Sequence, residues 1–591
     1  MSTRPTFQLS EEAKNEIARF RREIDLLEKG ERDMDDFKRF RLNNGIYGIR
    51  GTADEHMIRI KLPFGAMTAD QLEVIVEVAE KYTPSKLSHV TTRQAIQLHN
   101  LKRREVPDLL QTIHDAGLTS REACGNTVRN ITCDEFAGVH ADEVFDVQPY
   151  ADLLFRYFLR NPVGQNLPRK FKIAFESTPT SDRARIGIHD LGFRATSRVV
   201  NGKKEFGFIT HVGGGLGSMP FAAQLLEEFT PLDQFIATTE ALIRIFDRHG
   251  NRRDKNRARI KFVVAEWGIE EFRKRFIEER KAVIGTSSGR HERFKLELPE
   301  EQAPTVNIDK FKGAVAGPGF DAWKRTNVHP QKQKGFNAVY VRCLYGDVTP
   351  QQGRDVARIA REVCGGRLRT TITQNLMLRW VPDAALPYVH AALVKAGVGL
   401  DNALTVADIT RCPGADTCNL AITHSKGLAI NLTEDVFSSG FAHDPELAHI
   451  TINISGCINS CGQHHVGNIG FFGASRNIDG KQMPHYQMML GGRTGINTED
   501  VKFGEKLAFI PARRIGEAVK AVLTRYKADK KAGELFPHWV DRTGAVALRD
   551  LLQPFTDPEP LRKDAATMYE DLGDVAGTQF KVAVGKGECA A

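Results

Sequence analysis

"MIRIKLPFGAMTADQLEVIVEVAEKY", residues 57–82, and "AVYVRCLYGDVTPQQGRDVARIAREV", residues 338–363, follow one pattern. Each opens on alternating apolar residues, the period of a strand; in the first, Ile58, Ile60 and Leu62 share a face. Each then reaches a glycine, Gly65 or Gly346. Three residues on comes Thr-x-x-Gln, Thr68/Gln71 and Thr349/Gln352. In that pair each side chain satisfies a backbone donor near the other, which starts a helix. Pro350 takes the first helical position, where a missing N–H costs nothing. Leu72, Ile75 and Ala79, like Val356, Ile359 and Val363, then recur at helical spacing.

The correspondence runs on. "TTRQAIQLHNL" (91–101) matches "TITQNLMLRWV" (371–381), both reading as strands, and "VPDLLQTIHDAGL" matches "LPYVHAALVKAGV", both helical. "NITCDE" answers "DITRCPG", and "VGGGLG" (212–217) answers "LGGRTG" (490–495). The chain is therefore a duplicated unit of about 280 residues, Thr68 to Thr349. Each copy opens with a strand–helix–strand–helix module of ferredoxin-like type. The expected architecture is α+β, internally duplicated and pseudo-two-fold, with paired ferredoxin-like modules and two further α/β domains. The boundaries read as an N-terminal helical extension (1–50), a first half-domain (51–120), a first α/β domain (121–334), a second half-domain (335–402), a second α/β domain (403–545) and a tail (546–591) that wraps the core. In the extension, Ser10 caps a helix with Ile17, Phe20, Ile24 and Leu27 on one face and Gly30 as its stop, packed against the body.

The 591 residues exceed one core and suggest about three to four domains. No apolar run reaches the roughly 20 residues of a membrane helix. The N-terminus lacks the apolar core of a signal peptide and is too acidic for a transit peptide, so a cytoplasmic protein is expected. The net charge of +8 is mild for this length. With no basic block interleaved with aromatics, it argues against nucleic acid and suits anionic ligands or an acidic partner.

Nine cysteines in a chain with no secretion signal do not read as a disulfide framework. Cys124, Cys133, Cys343, Cys364 and Cys589 are scattered and read as buried or tail thiols. The other four form two tight pairs, Cys412/Cys418 in "RCPGADTCNLA" and Cys457/Cys461 in "SGCINSCGQHH". Zinc ribbons favour two to four residues between paired cysteines. The five-residue gap here, with Pro413 and Gly414 inside it, is a wider loop that suits a larger body such as a [4Fe–4S] cube. Zinc and plain structural thiols remain the alternatives.

The spacing C-x5-C-x38-C-x3-C, with Asn459 and Gly462 and together with the repeat, resembles the sulfite/nitrite reductase haemoprotein family over roughly residues 45–540. The resemblance implies sirohaem coupled to a [4Fe–4S] cluster, both held by the two α/β domains. Cys412, Cys418, Cys457 and Cys461 would ligate the cluster, and Cys461 would bridge it to the haem iron. The adjacent His464 and His465 invite an axial role, which the resemblance gives instead to the thiolate. It also implies an anion pocket built from Arg93 in "TTRQ", Arg129 in "ACGNTVRN" and the Lys-x-Lys pair Lys170 and Lys172. Arg169, Asn459 and Gly214, the last in the "VGGGLG" turn, would approach the cofactors. Cys124, five residues before Arg129, would lie near that pocket.

The implied reaction is the six-electron reduction of sulfite to sulfide in sulfur assimilation. A nitrite reductase making ammonium is the first alternative; a non-catalytic iron–sulfur or zinc protein is the remote one. Within the family a second lysine at position 172 and a Cys-Pro loop go with sulfite. "VGGGLG" lacks both the dinucleotide and the P-loop spacing. With no flavin or nicotinamide signature, electrons would come from a separate ferredoxin or flavoprotein reductase.

Overall fold

The computed structural model describes residues 11–496, 500–583 and 585. Ser10 and Cys589 lie outside the described residues. The duplication is present element by element. Strand Glu55–Ile60 and helix Ala69–Tyr82 recur as strand Phe336–Val341 and helix Pro350–Cys364. Both Thr/Gln pairs form reciprocal caps. Ahead of each glycine, Phe64 and Tyr345 both adopt positive φ.

The two modules exchange strands. Ala66–Thr68 of the first copy pairs with Arg367–Thr370 of the second. Asp347–Val348 of the second pairs with Ser88–Val90 of the first. Each five-stranded sheet thus carries one strand from the other copy. The facing helices Ala69–Tyr82 and Pro350–Cys364 share one apolar core with both sheets.

Each α/β domain is a second five-stranded sheet of identical topology. In one, Thr132–Cys133, Ile173–Glu176 and the start of Leu191–Val200 run parallel, and Lys203–Val212 and Gln224–Pro231 return antiparallel. In the other, Thr410–Arg411, Ile452–Ser455, Ile469–Ile478, Lys481–Leu490 and Glu505–Pro511 repeat the order. Ligands in such sheets gather beyond the carboxyl ends of parallel strands. Those ends carry Asp134 and Ser177 in the first copy, but Cys412 and the Gly456-Cys457 pair in the second.

Two local expectations change. "TTRQ" and "TITQ" are not strand but tight turns: Thr91 N–H donates to Ala95 O at 2.8 Å and Thr371 N–H to Asn375 O at 2.9 Å. Gln94 and Gln374 close them at positive φ, a conformation short polar loops adopt more readily than strands. Lys170 and Lys172, whose spacing of two reads as one face of a strand, lie just before strand Ile173–Glu176 rather than within it. The N-terminal helix Glu11–Glu28 buries Ala13, Ile17, Phe20 and Ile24 against the body, with Leu27 half-buried. Among the described residues, no helix is long and apolar enough to cross a membrane.

The segment joining the copies is pinned by Glu301. Its carboxylate meets Arg369 at 2.7 Å and Arg379 at 2.9 Å and accepts from Trp380 Nε1 at 3.0 Å. Against the cost of burial, those two guanidinium groups hold the carboxyl down at about 2. A depressed carboxyl stabilises the fold above its unfolded value and loses that contribution as pH falls toward the folded one. Glu301→Gln is expected to cost about 3 kcal/mol at neutral pH and to flatten the loss of thermal stability between about pH 4.5 and 2. Melting curves across that range check both.

Candidate functional site

A cleft between the copies holds a cavity of about 220 Å³ that opens to solvent. One wall is cationic and comes from the first copy: Arg93, Arg129, Arg169, Lys170 and Lys172. The opposite wall comes from the second: Cys412, Cys418, Cys457, Cys461 and Asn459. All but one of the expected site residues therefore line a single cavity.

The exception is Gly214. A Cβ there would sit 2.6 Å from His189 O and 2.7 Å from Gly187 O. Close backbone packing accounts for this glycine, and it does not line the cleft. Its counterpart Gly492 is confined in the same way by Gly467 O and His465 O. His464 and His465 are buried beside the thiol loop, their rings tilted against each other with centroids 4.2 Å apart, and neither lines the cleft. Cys124 is buried next to the lining residue Ala123.

The cationic wall is rigid. The Arg93 guanidinium donates to Asn130 O, His189 Nε2 and, at 3.3 Å, Thr132 Oγ1. The Asn130 amide returns to Leu62 O at 2.7 Å and Arg93 O at 3.0 Å, which locks the turn. Arg129 is gripped by its own loop: Nε donates to Gly125 O at 3.0 Å and Nη1 to Ala123 O at 3.1 Å. Lys172 follows Phe171, which is tied to Arg129 N–H at 2.9 Å.

These cations crowd one another. Burial, then the charges of Arg93 and Lys170, hold the Lys172 ammonium well below the ordinary lysine range. Burial and the charge of Arg129 lower Arg93 to about 9, so it stays charged at neutral pH. The buried carboxylate nearby, Asp190, is already taken by Arg259 at 2.6 Å and by the Lys172 N–H at 2.8 Å. A pocket of this kind gains by taking an anion: one paired charge at about 4 Å contributes about 4 kcal/mol at an effective dielectric near 20.

The thiol wall is built by close loop packing. Gly456 N–H points at Cys412 Sγ, 3.2 Å away, and Asn459 Nδ2 lies 3.5 Å from Cys457 Sγ. A Cβ on Gly456 would stand 2.6 Å from Thr423 O, and one on Gly462 only 2.0 Å from Ile454 O. Cys412 and Cys457 are buried and Cys461 is exposed to the cavity. Burial pushes the Cys418 thiol up to about 12, with the Cys461 charge adding to it. Among the described residues, no three His, Cys, Asp or Glu side chains are placed to hold a single metal ion. Four thiols with N–H donors aimed at sulfur fit a [4Fe–4S] cluster, whose sulfides such donors tune. The cationic wall fits a polycarboxylate macrocycle beside it.

The cleft also holds residues that the sequence did not single out. Arg59 lies on strand Glu55–Ile60 with its guanidinium 5.6 Å from the Tyr47 ring centroid, and both residues line the cavity. The alternation that buries Ile58 and Ile60 places Arg59 on the opposite face. His89 and His99 complete the wall. Burial, then Arg411, lowers His89, and burial lowers His99 to about 3, so both rings are neutral at pH 7.

Comparison with known proteins agrees with this geometry. The nitrite and sulphite reductase 4Fe-4S domain matches residues 124–284 and 403–556, and the nitrite/sulfite reductase ferredoxin-like half domain matches residues 49–116 and 329–396. A ferredoxin–nitrite reductase of Synechococcus elongatus is 31% identical over 78% of this chain and 84% of its own. A sulfite reductase [ferredoxin] of Mycolicibacterium paratuberculosis is 28% identical over 83% of each. The structure of the NirA protein of Mycobacterium tuberculosis superposes with a TM-score of 0.73 at 26% identity, covering 91% of this chain and 97% of that one. The chain belongs to the nitrite and sulfite reductase family, an oxidoreductase family whose members carry sirohaem and a [4Fe–4S] cluster.

Gly462→Ala is expected to abolish assembly of the cluster, because its methyl group needs the space of Ile454 O. Gly285→Ala, on an open helix face, serves as the control. Iron and acid-labile sulfide per chain measure the difference.

Proposed function

We propose that this chain reduces sulfite to sulfide, taking electrons from a separate donor. The observation that carries this reading is a single cleft with four thiols on one wall and a cluster of cations on the other. In this reading Cys412, Cys418, Cys457 and Cys461 hold the cluster. Cys461, the thiol exposed to the cavity, would hold both the cluster and the haem. Arg169 and Asn459 stand beside the cofactors. When bound, the sirohaem and cluster would supply the reducing electrons.

The protein supplies position, charge and protons. Arg129, fixed through its loop carbonyls, clamps the oxyanion and remains protonated throughout. Arg93, held by three acceptors, anchors the same wall. Lys170 and Lys172 hold protons next to the substrate oxygens. The depressed affinity of Lys172 makes it the better donor at neutral pH. Six electrons and six protons turn sulfite into sulfide and three waters. Each oxygen departs as water only after protonation, and the open mouth of the cleft lets the lysines recover protons from solvent.

Lys172 is also what favours sulfite, since a dianion gains more than nitrite from one further cation. Nitrite reduction to ammonium is the second reading, supported by the 31% identity to a ferredoxin–nitrite reductase. The names of that relative and of the sulfite reductase [ferredoxin] point to a ferredoxin as donor here. A cytoplasmic setting fits such a donor.

Steady-state assays with reduced methyl viologen decide the substrate without the natural partner. Sulfite is expected to show the higher kcat/KM. Lys172→Asn is expected to lower the sulfite-to-nitrite ratio of kcat/KM by about tenfold, the effect of roughly 1.4 kcal/mol. A ratio unchanged by the substitution would sink the assignment of Lys172.

A further inference from the structure

The loop that carries Cys461 is not held by its own copy alone. Thr92, in the turn that presents Arg93, donates its hydroxyl to Cys461 O at 2.9 Å. Gln463 returns a bond from Nε2 to Thr92 O at 3.4 Å. The other end of the Gln463 amide, Oε1, accepts from Arg185 Nη1. Arg185 O pairs at 2.8 Å with His189 Nδ1, and His189 Nε2 faces Arg93 Nη1. Arg93 donates, so Nε2 accepts and Nδ1 carries the proton given to Arg185 O. The peptide bond from Arg93 back to Thr92 closes the ring.

Three further observations make this ring more than a chance contact. Arg185 and Gln463 are counterparts in the duplication: each lies six residues before the matched strands Leu191–Val200 and Ile469–Ile478. They therefore meet each other across the pseudo-two-fold. Both hold positive φ, at 54° and 61°, a conformation that residues other than glycine keep where the surroundings impose it. And the ring is one-sided. The duplicate turn has Ile372 and Thr373 where Thr92 and Arg93 stand, and so has neither the hydroxyl nor the guanidinium.

We propose that Thr92, Arg185, His189 and Gln463 are positioning residues that hold the Cys461 sulfur in register with the Arg93 side of the pocket. This rests on the reading of Cys461 as the thiolate between cluster and haem. The ring ties the two walls together through side-chain and backbone hydrogen bonds. A thiolate held to one side of the cleft and an arginine held to the other are thereby fixed at a constant separation. Small misplacements of reacting groups cost large factors in rate, so the linkage acts on turnover as well as on folding.

Holoenzyme variants test it through the visible spectrum, the midpoint potential of the cluster and the separate values of kcat and KM. Thr92→Val removes the donor at constant shape. It is expected to shift the haem bands and the potential and to lower kcat about tenfold, while Thr92→Ser stays within about twofold of the parent. Gln463→Met, which breaks the ring at a second point, is expected to reproduce Thr92→Val and decides the matter if that variant does not fold. A parental spectrum and potential in Thr92→Val, or in Gln463→Met where that variant decides, overturns the proposal whatever happens to thermal stability. Cys461→Ser separates the two levels. If it keeps the parental spectrum, the reading of Cys461 fails and the proposal with it. If it loses that spectrum while Thr92→Val keeps it, the ring alone fails.

Discussion

Two short strands that cross between the copies determine everything downstream of them. Ala66–Thr68 completes the sheet of the second module, and Asp347–Val348 completes the sheet of the first. Neither module can turn relative to the other without breaking backbone hydrogen bonds, which are costly to leave unmade. Because the exchange is reciprocal, the copies are held about a pseudo-two-fold axis. The carboxyl ends of the parallel strands in the second copy then face the Thr91–Gln94 turn of the first. The cleft is what remains between them.

Duplication supplied two equivalent scaffolds, and the side chains made them unequal. Where the second copy has Cys412 after its first parallel strand, the first has Asp134. Both turns keep a threonine at the start and a glutamine at the end. Gln94 bonds both backbone groups of Cys133, and Gln374 accepts from Arg411 N–H at 2.7 Å. The same device thus places a plain strand end in one copy and a thiol-bearing one in the other. The Arg411 guanidinium next to Cys412 is held by both oxygens of Asp347, at 2.8 and 2.9 Å, and Asp347 also meets His89 and Lys426. One carboxylate on the exchanged strand therefore ties the strand swap to the thiol wall.

Much of this was legible in the residues. The capping boxes, glycines and shared offsets revealed the duplication because each is a local device with its own physical cause. The thiol spacing was legible through pattern and the pocket cations only through the family resemblance, and all of them converge on one cleft. The exchanged strands were not, since elements of two or three residues show no period. Reading "TTRQ" as strand failed because four polar-to-neutral residues before an apolar run look like its continuation; the turn is fixed by the glutamine reaching the next domain. Gly214 was singled out by its run of glycines, whose cause is packing against residues 187–189. Arg59 was passed over because one arginine on a strand normally faces solvent, although its alternation with Ile58 and Ile60 already set it apart from the core.

The tail, too, finds its place only in three dimensions. Asp571 accepts from His424 N–H at 2.7 Å, and Gly585 N–H donates to Asn419 O at 2.9 Å, so the tail at these two residues meets the loop between Cys418 and the following helix. The central claim is that this loop, with Cys457 and Cys461, encloses an iron–sulfur cube whose Cys461 sulfur also faces a tetrapyrrole iron. Anomalous diffraction at the iron edge from crystals of the purified holoprotein tests it most directly. The account predicts four irons bounded by the four cysteine sulfurs and a fifth beyond Cys461, on the side of Arg93 and Lys172. A single metal ion among the sulfurs, or a fifth iron remote from Cys461, would contradict it.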